Sequence, residues 1–176
     1  IYPFVFSNII SSGFLMVITR YLADLLYGSD YRDVTASLYG VIAITEGIGA
    51  IAALVFFWNK PLDFLTKFLT YIFYMQMLAV WLQGIYLTAV KNYKGLFFSY
   101  MIGVCTTIVL TFFVLATGCI EPVNGALLAM DIGSGIIMLL FFVHITRYFG
   151  YPKFGRNLLF LPYFEKHKLL FFIALF

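Results

Sequence analysis

Charge is the first thing in short supply. Asp, Glu, Lys and Arg together make up 11% of the 176 residues, whereas a water-soluble domain is typically about a quarter charged. So few ionised groups cannot build a water-facing surface, so a soluble globular domain is excluded and lipid is left as the solvent for most of the chain. Chemistry-bearing side chains are equally sparse. His144, His167, Cys105 and Cys119 are the only histidines and cysteines, and their spacings fit no zinc site, haem attachment or redox pair. The cysteines read as small apolar fillers and the histidines as interfacial residues. No H-x-x-x-H, G-x-S-x-G or phosphate-binding glycine loop occurs, so catalysis, metal and cofactors have no constellation to stand on, and the chain is not expected to be an enzyme. A net charge of +3, scattered along the chain, does not suggest nucleic acid as a partner.

What is present is apolar sequence, at 63% of residues, and it comes in long runs. Complete spans are expected at about Thr35–Trp58, Phe68–Val90, Gly95–Thr117 and Asn124–Thr146. Partial spans are expected over Ile1–Thr19 and from Lys168 onward. Each complete run covers a hydrocarbon core of about 30 Å as a helix. Lipid offers backbone amides no partner, which leaves helix as the only regular choice. The expected fold is therefore an all-α, polytopic transmembrane bundle. Because the apolar runs at Ile1 and Phe176 are incomplete, the chain reads as a fragment without a signal peptide. Short connections at Asn59-Lys60-Pro61, Lys91–Lys94 and Gly118–Pro122 force sequential helices to alternate in direction.

Loop charge predicts the orientation. Arg20 and Arg32, then Lys91 and Lys94, then Arg147, Lys153, Arg156, Lys166 and Lys168 fall in the odd connections. The even ones hold only Lys60 and Lys67, which places the odd connections in the cytoplasm. Arg20–Val34 reads as a helical extension past the bilayer, with Arg20 and Asp24 paired i, i+4 and a stop at Gly28. Tyr148–Phe164 reads either as a stretch lying along headgroups or as an ordinary basic loop.

Polar residues within the runs are the candidate sites. Glu46 lies in the middle of its span, and a central acid costs about 2.5–3.5 kcal/mol to insert. It must face the bundle interior or water, on a face shared with Ile42, Gly49, Ala50 and Ala53. Asp131 lies about two turns into its span beside Ser134 and Gly135. For both acids a proton, cation or sugar-hydroxyl site stands open against a plain interhelical hydrogen bond. Asn8, Ser11 and Ser12 share one helical arc, with Thr19 farther along. Gln76 and Gln83, seven apart, share another. The rows Ser99-Gly103-Thr107-Thr111 and Gly125-Ala129-Gly133 read as packing seams where backbones approach closely.

One stretch points beyond class. Phe6–Tyr27, FSNIISSGFLMVITRYLADLLY, resembles the PelG family of Pel exopolysaccharide transporters, in which a serine-glycine helix leads into a TRY-x-(A/S)-D segment. The matching positions are Ser11, Ser12, Gly13, Thr19, Arg20, Tyr21 and Asp24. Ala89, Lys91 and Tyr93 resemble the family's later Ala-x-Lys-x-Tyr pattern. The resemblance implies the fold of the MATE and polysaccharide-flippase superfamily, with two six-helix lobes around a central cavity. Residues 1–165 would then be a partial N-terminal lobe, helices two to six in the family register, and residues 166–176 the start of the next helix. It also implies polysaccharide export across the bacterial inner membrane by alternating access of the two lobes, in a Pel-type biofilm system. The implied partners are a cytoplasmic glycosyltransferase and membrane subunits that sense cyclic di-GMP. Competing readings are a cation-coupled multidrug antiporter of the same fold and a non-transporting scaffold of a polysaccharide synthase. A membrane glycosyltransferase is weakest, lacking an acid pair for a metal.

Overall fold

The computed structural model describes residues 2–27, 34–58, 60–118 and 120–151. They form five helices: α1 (Tyr2–Tyr27), α2 (Val34–Trp58), α3 (Phe64–Ala89), α4 (Tyr93–Thr117) and α5 (Pro122–Phe149). All five are long and apolar enough to cross a membrane, and there is no strand among the described residues. The chain is thus a multi-pass, all-helical membrane bundle. The expected headgroup stretch beyond Tyr151 and the expected span from Lys168 lie outside the described residues.

Local chemistry sets the ends. The α3 helix starts a turn before the expected Phe68, because Asp63 caps it by accepting from the Leu65 N–H at 3.3 Å. Asn92 does the same for Gly95 at the start of α4, at 3.1 Å. Gly118 closes α4 with φ of 61°, a left-handed conformation that costs glycine nothing. Pro122 opens α5, where its missing N–H is harmless. The α1 helix runs unbroken from the apolar span through Arg20 to Tyr27, as its i, i+4 pattern predicts.

The helices alternate in direction. Thr35 at the start of α2 donates to the Gly150 carbonyl just past α5, at 3.1 Å. Ser37 and Tyr86 share a hydrogen bond of 3.0 Å near the end of α3. Arg20, Lys91, Lys94 and Arg147 therefore gather at one end of the bundle, and Lys60 and Lys67 lie toward the other.

The α3 helix is the axis: α1, α2, α4 and α5 all pack on it, and it is the most buried of the five. One core joins Leu22, Leu38, Leu82, Tyr86, Phe141 and Ile145 from α1, α2, α3 and α5. A second, around Ala53, Tyr74 and Leu78, closes the opposite end with Phe6 and Phe57. The α4 and α5 helices form a tight antiparallel hairpin along the two small-residue rows. A Cβ on Gly103 would meet Ile137 and come within 2.8 Å of the Gly133 carbonyl, and one on Gly125 would meet Val114. Those rows are packing seams, as their spacing predicts.

Candidate functional site

The α3 and α5 helices run parallel in a constant register. Thr66 donates to the Asn124 side-chain carbonyl at 2.7 Å, and farther along Ser134 donates to Gln76. Both pairs are 58 residues apart, so the seam is a ladder of polar rungs with a vacant place between them. Asp131 occupies that place, two turns beyond Asn124 and one turn before Ser134. It is 8% exposed, and neither carboxylate oxygen has a hydrogen-bond partner. A buried polar group left without a partner costs about 1–3 kcal/mol.

Glu46 and Gln83 line a second place. They line a groove of about 170 Å³ between α2, α3 and α5, with Tyr39, Ile42, Met138 and Phe142 among its walls. Glu46 is half-buried. Gln83 is 4% exposed, with its side-chain carbonyl unpartnered. The groove has room for a handful of waters, the kind of surroundings a mid-membrane acid needs.

The remaining sequence candidates divide. Gln76 and Gln83 share α3 but serve different neighbours, one bonding α5 and the other lining the groove. Of the expected Asn8-Ser11-Ser12 arc, Ser11 is buried while Asn8 and Ser12 are exposed. The hydroxyls of Ser11 and Ser12 donate to backbone carbonyls one turn back, at 3.1 and 2.7 Å. A hydroxyl satisfied by its own helix has little left to offer another group, and the arc is not brought to Glu46 or Asp131. Gly49 and Ala53 are buried, turned onto α3 where a Cβ on Gly49 would meet Leu78 and the Tyr74 hydroxyl. Ile42 alone of the expected companions lines the groove with Glu46.

The motif residues cluster at the Arg20 end. Thr19 donates to the Leu15 carbonyl at 2.7 Å, and Tyr21 packs against the main core. Arg20 and Asp24 form an i, i+4 ion pair at 3.6 Å, with side chains 65% and 49% exposed. Such an open pair is worth less than about 1 kcal/mol. Arg20→Ala is therefore expected to leave the thermal unfolding midpoint within a few degrees of wild type. A large drop would show that Arg20 holds more than this pair.

Sequence reasoning passed over Thr45, Tyr74 and Trp81, whose polar atoms are also buried and unpartnered. The only available signal was the run Thr45-Glu46, since Thr, Tyr and Trp in apolar runs look the same whether they face core or lipid. Cys105 is exposed on α4, facing outward from the bundle. Cys119 and His167 lie outside the described residues, and His144 is half-buried near the end of α5.

A family model described as "PelG: Putative exopolysaccharide Exporter (EPS-E)" matches residues 1–176. No curated protein and no solved structure matches the chain.

Proposed function

The chain belongs to the PelG exopolysaccharide exporter family, and from that premise we propose that it forms one wall of a path along which a sugar polymer crosses the bacterial inner membrane. The observation that carries this reading is the groove lined by both Glu46 of α2 and Gln83 of α3. A polymer in transit needs many modest hydrogen bonds that form and break easily. An amide and a carboxyl beside a few waters supply them where lipid cannot. The groove is too small to enclose a chain of sugars, so it acts as a polar strip on one face of the path. A second helical lobe, moving against this one, would supply the other face and the alternating access.

The end bearing Arg20, Lys91, Lys94 and Arg147 is cytoplasmic by the charge rule. A glycosyltransferase that makes the polymer, and membrane subunits sensing cyclic di-GMP, would dock there; the family resemblance alone supports those partners. The antiporter and scaffold readings have no comparable support, since the family is one of exporters and a scaffold needs no polar strip.

Replacing both groups, as Glu46→Gln with Gln83→Leu, tests the reading. Secreted polymer is expected to fall at least about tenfold at an unchanged membrane level of the protein. That is the size expected from losing a hydrogen bond to a charged group worth about 1.5–3 kcal/mol. Wild-type secretion by this double variant would remove the groove from the path.

A further inference from the structure

We propose that Asp131 is a proton-binding site. It holds a proton while the α3–α5 seam is closed and exchanges it with water from the Lys60 end of the bundle. The role of that proton in the transport cycle rests on the export reading above; its presence on Asp131 does not.

Three observations lead here. The first is isolation. Both Asp131 oxygens are buried without a partner, and the neighbouring rungs are already satisfied, Thr66 by Asn124 and Ser134 by Gln76. An ionised carboxylate stripped of water and left unpaired is too costly to persist and takes up a neutralising ligand instead.

The second is that, among the described residues, no other group is placed to neutralise it. Lys60, which lines the cavity described next, holds its Nζ 5.3 Å over the Phe56 ring, and Tyr2 lines that cavity with it. On α3, Lys67 and Tyr71 line a different groove, against Ala53 and Phe57 of α2, and Tyr74 lies against Gly49. On α4, Tyr100 packs edge-on against Phe141 and Cys105 is exposed. On α2, Glu46 lies in the groove with Met138, two turns along α5, and Tyr39 lies beside Phe142. On α5 itself, Glu121 is bonded by Asn124, and His144 and Arg147 lie more than three turns away. A metal cation would need several oxygens around it, yet the amide oxygens of Asn124 and Gln76 are engaged. No group of three His, Cys, Asp or Glu side chains able to hold a metal occurs among the described residues. A proton needs none of these.

The third is a route. A cavity of about 710 Å³ runs in from Lys60, Pro61 and Leu62, past Thr66 and Thr70, to Leu127 and Met130. Leu127 is one helical turn before Asp131 and Met130 is its immediate neighbour. Asp131 itself is not among the lining residues, so exchange needs water to pass the last helical turn beyond Leu127, and the Thr66 and Thr70 oxygens along the way can accept hydrogen bonds from it. In the exchange, the O–H bond on one carboxyl oxygen breaks and the proton passes to a water; uptake is the reverse. Loop charge makes the Lys60 end external, so the proton enters from outside.

Infrared spectroscopy of the intact protein in lipid bilayers reads the proton directly. At neutral pH the wild type is expected to show the C=O stretch of a protonated carboxyl, shifting in heavy water. Asp131→Asn is expected to remove that band, Asp131→Glu to keep one at a displaced frequency, and Glu46→Gln to leave the Asp131 band in place. No such band in the wild type, or a band left unchanged when Asp131→Asn is added to Glu46→Gln, would overturn the proposal. Polymer secretion measured alongside separates the two readings: a missing band with normal export sinks the proton site alone, and a present band without export sinks the export reading alone.

Discussion

Gly133→Leu is expected to yield no folded protein. The α4–α5 seam has no spare space at this point. A Cβ at Gly133 would collide with the Thr107 hydroxyl and sit 2.8 Å from the Gly103 carbonyl oxygen. A side chain in the way can rotate, but a carbonyl moves only if the helices part. In lipid, helix pairs are held by close packing more than by any hydrophobic drive, since the tails outside are as apolar as the seam inside. Parting α4 from α5 therefore removes most of what holds them. Gly133→Ala alone should cost about 1–3 kcal/mol, roughly 2–4 °C of melting temperature per kcal/mol for a chain of this size. Gly47→Leu is the control, because Gly47 is exposed on α2 with nothing within 4 Å of an added Cβ. It should melt as wild type does. Size-exclusion profiles and melting curves of the three variants decide the matter. A well-folded Gly133→Leu would mean that the seam does not hold the hairpin.

The Gly133 row was readable in the sequence because small residues at every fourth position have one common use in a membrane. The five helices and their alternation were readable too, from run length and short punctuated loops. The central place of α3 was not deduced, although its trace is there: α3 is the least hydropathic of the five spans and the most buried. A helix ringed by lipid must be apolar all round. One ringed by helices can carry Thr66, Gln76 and Tyr86, whose polar atoms bond to α5 and α2. Side-chain direction was harder. Asn8, Ser11 and Ser12 fall on one arc by spacing, yet only Ser11 turns inward, because lipid and core select the same residues and leave no amphipathic pattern to read. Glu46 and Asp131 stood out by the cost of inserting them. Their different surroundings, a groove for one and a closed seam for the other, depend on which helices meet, which spacing along a single helix does not encode.

Asp131→Leu is expected to stabilise the bundle and stop export. Removing a buried carboxyl that has no partner relieves a penalty of about 1–3 kcal/mol. Leucine fills a comparable space among the apolar neighbours of the α3–α5 seam, so the melting temperature should rise by several degrees. Ser134→Ala, three residues away on the same seam, should move it the other way, because it breaks the bond to Gln76 and leaves that amide oxygen unpaired. The opposite signs are the diagnostic. Were the acid there to hold the helices together, both substitutions would destabilise. A lower melting temperature for Asp131→Leu would mean that the carboxyl has a stabilising partner and that the seam is held through it. Secretion supplies the second half of the test: a more stable protein that no longer moves polymer retains its fold but has lost the group that takes up and releases a proton. Natural chains keep such destabilising groups where function requires them. Unchanged secretion in the stabilised variant would leave the carboxyl in the seam without a part in the cycle.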